Sequence, residues 1–145
     1  MKTFLSLLSV VCLLATGVYA GDKQQVVIIK VSDGDTVKAV MHNKKVTIRL
    51  ANIDCPEIRT NDRTLKQAKQ MNLAPESIKK YGKDAQKNLK KLLDFYENEI
   101  YFEETPENMC DGEERLVGNL FAGDVNVNEY MLKNSKCVAF SCSEE

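Results

Sequence analysis

The chain has 145 residues, 43% hydrophobic and 28% charged, with 20 Lys and Arg against 21 Asp and Glu. These proportions suit an ordinary globular domain, and with seven Gly, three Pro and no repeat they exclude collagen, low-complexity linkers and repeat arrays. The single histidine, His42, removes schemes that need two imidazoles and leaves any zinc site to cysteine and carboxylate. Acid–base chemistry therefore falls mainly to carboxylates.

Residues 1–20 read as a targeting segment. Met1-Lys2 is a short positive start, Phe4 to Ala15 an apolar stretch too short to span a bilayer with ease, and Val18-Tyr19-Ala20 ends in small residues. Cleavage after Ala20 is expected, a retained anchor or a lipidated Cys12 being the competing readings. The expected organisation is a removed leader, 1–20, and one domain, 21–145. The mature chain is expected to be exported, secreted or periplasmic, monomeric and free of stable membrane association.

Three strands follow. Val26 to Val31 is a continuous apolar run, Thr36 to Met41 a second strand, and Val46 to Leu50 alternates, with Val46, Ile48 and Leu50 on the core face and Arg49 turned away from it. Asp33-Gly34 and His42-Asn43 sit where a meander needs tight connections, so His42 is read as a turn residue. Beyond Pro56 the period becomes helical. Leu65, Ala68 and Met71 suggest a short helix or a mobile loop; Ile78, Tyr81, Ala85, Leu89, Leu92, Leu93 and Tyr96 define a long one, with Lys80, Lys83, Lys87, Lys90 and Lys91 opposite. Glu99 to Phe102 and Arg115 to Phe121 read as strands, and Val127 to Lys133 as a helix introduced by Asp124 and Asn126. The expected class is α+β: a five-stranded, OB-like barrel with a long helix packed on it and short additional helices.

Cysteine and charge add compartment and partner. Without Cys12, four cysteines remain, Cys55, Cys110, Cys137 and Cys142, an even number for an oxidising compartment. Sequence does not choose among the three pairings; Cys137–Cys142 with Cys55–Cys110 is the expected one, four reduced thiols the alternative, and zinc is disfavoured by the absence of a C-x-x-C pair. Between Arg59 and Lys91 ten basic residues face three acids, whereas thirteen acids from Asp94 onward face only Arg115, Lys133 and Lys136. The basic block reads either as a solvated helix face or as a surface steering a polyanion.

Asp33-Gly34-Asp35-Thr36 lies between the first two strands, and Asp54-Cys55-Pro56-Glu57 just past the third. If the meander forms, these acidic points converge at one end of the sheet. Four uncompensated carboxylates repel one another, which implies a cation, and oxygen-only ligands imply a hard one, calcium or magnesium. Each motif alone more often stabilises a turn or cap.

The ordered set is more specific. Ser32-Asp33-Gly34-Asp35-Thr36, Thr47-Ile48-Arg49-Leu50-Ala51-Asn52-Ile53-Asp54-Cys55-Pro56-Glu57, Tyr81-Gly82-Lys83-Asp84-Ala85, Arg115 leading a strand and Val127-Asn128-Glu129 together resemble the thermonuclease family, the relatives of staphylococcal nuclease. The resemblance runs from about Val26 to Lys133. It implies an OB-like barrel and calcium-dependent, sugar-nonspecific hydrolysis of DNA and RNA to products with a 3′-phosphate. By the same resemblance Asp35, Asp54 and the main-chain carbonyl of Cys55 hold calcium, Glu57 acts as general base or orients the attacking water, and Arg49 and Arg115 grip the scissile phosphate. Asp33 supports the metal.

Two departures stand out. Glu113-Glu114 precede Arg115 where relatives carry Tyr-Gly, which is expected to alter how Arg115 is partnered. No match to the terminal helix or to the two pocket tyrosines of longer relatives follows Cys137-Val138-Ala139-Phe140, leaving Phe140 as one stacking surface. A weakly active or inactive nucleic-acid-binding OB module and a calcium-stabilised partner-binding domain are the alternatives; few aromatics argue against the former and the paired arginines against the latter.

Overall fold

Residues 21–105 and 115–141 are described by the computed structural model; the expected leader at 1–20, Cys110, Glu113-Glu114 and Cys142 lie outside them. The first strand is broken by one residue into β1 (Gln24–Gln25) and β2 (Val27–Val31). β3 (Thr36–Met41) and β4 (Lys44–Leu50) pair antiparallel across a two-residue turn in which His42 and Asn43 have φ of 49° and 60°. That is the left-handed backbone conformation a two-residue hairpin turn needs to match the twist of its strands, and it makes His42 the turn residue expected.

After the helical region, β6 (Ile100–Glu104) pairs antiparallel with β7 (Leu116–Ala122), and β7 runs parallel to β4 with Arg49 opposite Val117. The strand order is β1-β6-β7-β4-β3-β2. Its two ends are consecutive pieces of chain, joined by Val26, whose N–H donates to the Ile100 carbonyl at 3.0 Å. The sheet therefore curls round on itself as the five-stranded, OB-like layout requires. Two short pairings finish it: β8 (Val125–Asn126) on β7, and β5 (Ile53–Asp54) with β9 (Val138–Ala139).

The apolar run at 26–31 does not bury both faces. Val27 is 62% and Ile29 52% exposed. Alternation turns Val26 inward between exposed Gln25 and Val27, and the register shift between Ile28 and Lys30 breaks that alternation so that Ile29 and Lys30 both face out.

Three helices cover the barrel. α2 (Pro75–Phe95) opens with proline at its first position, where a missing N–H costs nothing, and buries Ile78, Gly82, Ala85, Leu89 and Leu93. Each large aliphatic buried there contributes about 1.5–3 kcal/mol. Its lysines at 80, 83, 87, 90 and 91 are exposed, and Lys90 pairs with Asp94 one turn on. α3 (Val127–Asn134) is capped by Asn126, whose side chain accepts from Glu129 N–H at 3.2 Å. α1 (Asp62–Met71) is a helix rather than a loop, closed by an Asn61/Thr64 capping box. Its buried face is Thr64, Gln67 and Ala68, while Leu65, another of the apolar residues that marked it in the sequence, is 48% exposed. The polar side turns inward because it has hydrogen-bond partners there.

Asn128 is the residue that ties α3 to the strands. It is buried, and its Nδ2 donates to the carbonyls of Ala51 (2.9 Å) and Gly118 (3.2 Å) while its Oδ1 accepts from Leu120 N–H at 3.1 Å. The parallel β4/β7 pair is thus clamped at the end that carries Arg49.

The expected cysteine pairing is corrected. Cys55 bonds Cys137, 82 residues away, instead of Cys110, so Cys137 does not close a loop with Cys142. The reason is the β5/β9 pairing, which sets Asp54 opposite Val138 and brings the flanking cysteines side by side.

Two stability outcomes follow. By loop-closure entropy a crosslink across 82 residues is worth about 4 kcal/mol, so Cys137→Ser or full reduction should lower the urea midpoint markedly; an unchanged midpoint would contradict a bridge here. Asn128→Ala takes the side-chain partner from the Ala51 carbonyl and the Leu120 N–H, while the Gly118 carbonyl keeps its bond from Ala51 N–H, and should cost about 1–3 kcal/mol by the same measurement.

Candidate active site

The site is built where the loop before β3 meets the segment after β4. Asp35, 5% exposed, is fully engaged through its carboxylate. Oδ1 pairs with Arg49 Nη1 at 2.7 Å and accepts from Thr36 Oγ1 at 3.1 Å; Oδ2 accepts from Cys55 N–H at 2.8 Å. Thr36 stands directly opposite Arg49 in the β3/β4 register, which is why Asp35 meets that guanidinium. Burial alone would raise the Asp35 pKa, but the Arg49 charge and hydrogen bond override it and hold the carboxyl below the ordinary carboxylate range.

Arg49 is itself buried, at 9% exposure. It leaves the barrel core face as expected, yet the 51–57 segment covers it. Its Nη2 donates to the Ile53 carbonyl at 3.3 Å and reaches Asp54 Oδ1 at 3.5 Å. Asp35 and Asp54 are therefore joined through one guanidinium.

Asp33 has a separate role. Its Oδ1 accepts from Asp35 N–H at 3.1 Å, folding the turn. Burial, then the adjacent Asp35 charge and hydrogen bond, push its carboxyl up to about 7. A neutral Asp33 relieves the repulsion that two buried carboxylates would otherwise suffer.

Two glycines allow the elements to approach this closely. A Cβ on Gly82 would lie 2.5 Å from the Glu57 carbonyl oxygen and 2.6 Å from that of Pro56, so the Tyr81-Gly82-Lys83 stretch of α2 is the floor under the acidic segment. A Cβ on Gly34 would meet Ala85 and Cys55 side chains at 2.8 and 2.9 Å. The Cys55–Cys137 bond anchors the same segment from the other side.

Two further residues line the site, and nothing in the sequence pattern singled them out. Gln67 of α1, 7% exposed, uses every amide atom: Nε2 donates to Asp54 Oδ2 and to the Cys55 carbonyl, each at 3.1 Å, and Oε1 accepts from Glu57 N–H at 2.9 Å. Arg63, also on α1, pairs with Asp54 Oδ1 at 2.5 Å and with Glu57 Oε1 at 3.3 Å. Glu57 Oε2 accepts from Asn61 Nδ2 at 3.1 Å. The signal for them was the capping box at Asn61, which starts α1 so that its second and sixth residues point at Asp54.

Arg115 immediately precedes β7 and is half-buried. Because Val117 pairs in parallel with Arg49, and side chains two apart share a face, Arg115 and Arg49 lie on one face of adjacent strands. Asp35, Arg49, Asp54 and Cys55 are thus brought together directly, Glu57 is linked to Asp54 through Arg63 and Gln67, and Arg115 stands just before the neighbouring strand.

The donors offered by Asp35, Asp54 and the Cys55 carbonyl are all oxygen and fit a hard cation such as calcium. Their positions are held by N–H donors of Arg49, Arg63 and Gln67, and among the described residues no three His, Cys, Asp or Glu side chains converge as ligands. The sequence argument for a cation assumed uncompensated carboxylates. Here Arg49 and Arg63 supply compensation, and burial that favours a neutral Asp33 supplies more.

A family model described as Staphylococcal nuclease homologue matches residues 47–143. The chain belongs to that family, whose domain is nuclease-like and interacts with nucleic acid. A search of curated proteins gives no significant match.

Asp33 and Asp35 have opposite pH signatures. Asp33 binds its proton more tightly folded than unfolded, so its ionisation costs stability as pH rises from about 4 through about 7; Asp35 contributes stability that is lost as pH falls below the ordinary carboxylate range. In chelator, Asp33→Asn should therefore match the parent near pH 4 and exceed it by about 1 kcal/mol or more at pH 8 in urea unfolding. Equal stabilities at pH 8 would refute a raised Asp33 pKa.

Proposed function

We propose that this chain is an exported, calcium-dependent, sugar-nonspecific nuclease that hydrolyses DNA and RNA and leaves phosphate on the 3′ carbon, breaking the bond from phosphorus to the 5′ oxygen. The observation that carries the reading is the Arg49 guanidinium, buried at the barrel rim between Asp35 and Asp54 with Glu57 two residues beyond Cys55. Export, secreted or periplasmic, rests on residues 1–20, and an oxidising compartment is in keeping with the Cys55–Cys137 bond. One domain over 21–145, acting as a monomer, suffices for it. No helix among the described residues is long and apolar enough to cross a membrane.

In this reading a phosphodiester approaches the face shared by Arg49 and Arg115. It already carries negative charge, and attack by water adds more, so fixed positive charge that acts most strongly on the transition state lowers the barrier. Arg49 is held by Asp35 and the Ile53 carbonyl, which fixes the plane of its guanidinium at the rim where a phosphate would meet it. Arg115 supplies a second fork from β7. Glu57, held by Asn61 and by its own N–H on Gln67, accepts the proton of the attacking water or orients it. Asp35, Asp54 and the Cys55 carbonyl would hold calcium, with Asp33 in support, and the ion would add electrostatic stabilisation of the developing charge. The exposed lysines of α2 fit a surface that draws a polyanion toward the rim.

Plasmid and single-stranded DNA incubated with calcium should be degraded, and a chelator should stop it. Arg49→Lys, which keeps the charge against Asp35 but loses the fork, should reduce turnover about 10²–10³-fold. Glu57→Gln should also reduce turnover sharply with calcium affinity little changed; full turnover in that variant would remove the general-base role. Binding of DNA without cleavage would favour the non-catalytic OB module instead.

A further inference from the structure

We propose that Arg63 sets the cation threshold of this site: its guanidinium holds Asp54, a proposed ligand, together with Glu57, the proposed base, and a divalent cation that takes Asp54 ejects it. The inference rests on the calcium-site reading above and goes beyond it by assigning a residue that the family resemblance does not supply.

Three observations converge on Arg63. First, it is the direct partner of Asp54 Oδ1 at 2.5 Å and of Glu57 Oε1 at 3.3 Å, so it neutralises a proposed ligand and the proposed base together. Second, its side chain is 52% exposed while those of Asp54 and Glu57 are only 17% and 20% exposed. The arginine can leave toward water; the carboxylates cannot follow. Third, it lies in the first turn of α1, where the helix dipole disfavours a cation. The carboxylates hold it against that field, and once a cation takes Asp54 only the longer contact to Glu57 is left to keep it there.

Charge balance points the same way. Asp35, Asp54 and Glu57 carry three negative charges in contact with Arg49 and Arg63, leaving an excess of one. Replacing Arg63 by a divalent cation brings the cluster to neutrality, whereas adding the cation with Arg63 still in place overshoots. Gln67 behaves differently. It is buried and uncharged, and its Oε1 holds the Glu57 amide, so it positions the segment and stays.

The test is calcium titration calorimetry on the full mature chain without nucleic acid, comparing parent, Arg63→Ala, Arg63→Gln and Arg63→Lys, with Asp54→Ala locating the site. Removing the charge should tighten calcium binding about fivefold or more in the Ala and Gln variants alike, the order expected for one half-exposed ion-pair charge. The Lys variant should stay close to the parent, and Asp54→Ala should abolish binding. Equal or weaker calcium affinity in both uncharged variants overturns the role of Arg63 while leaving the cation site intact. Calcium binding by none of the proteins, or unaffected by Asp54→Ala, overturns the cation site itself.

Discussion

Asp35 is a carboxylate withdrawn from water, and it persists as an anion because Arg49 contacts one oxygen and the Cys55 amide the other. Removing one partner of such a pair costs roughly 3–5 kcal/mol, since the survivor is left buried and charged. The pair also performs an assembly task. Through it the turn before β3, the edge residue of β4 and the segment after β5 are held in one place, although they are separated along the chain by up to twenty residues.

What surrounds this contact is arranged to keep the segment from Asp54 to Glu57 still. Gly82 lets α2 lie against its backbone, the Cys55–Cys137 bond and the β5/β9 pairing secure it from the C-terminal side, and Gln67 ties its amide and carbonyl groups to α1. Glu57, Asp54 and Arg49 are thereby held on packed elements, and a reaction that depends on fixed charge benefits from that rigidity. The exposed member of these contacts is Arg63, whose side chain is 52% exposed.

α1 illustrates how a polar helix is recruited. Its inward residues, Thr64 and Gln67, are buried because they satisfy, and are satisfied by, main-chain groups of the neighbouring loop. Hydrophobic periodicity therefore indicated that a helix can form there; of the apolar residues that carried it Ala68 is buried and Leu65 faces out.

Local rules were enough for much of this molecule. Alternation and helical spacing marked β3, β4, α2 and α3, and His42-Asn43 marked the hairpin, because these depend on backbone preferences and residue types a few positions apart; the resemblance carried by the ordered acidic and arginine motifs pointed to Asp35, Arg49, Asp54, Cys55 and Glu57. The tertiary structure alone decided which cysteine meets Cys55, that β4 and β7 run parallel and align Arg49 with Val117, and that Arg63 and Gln67 enter the site. Those outcomes depend on contacts between distant segments and on the burial of charge, whose cost exists only once the chain has closed around it.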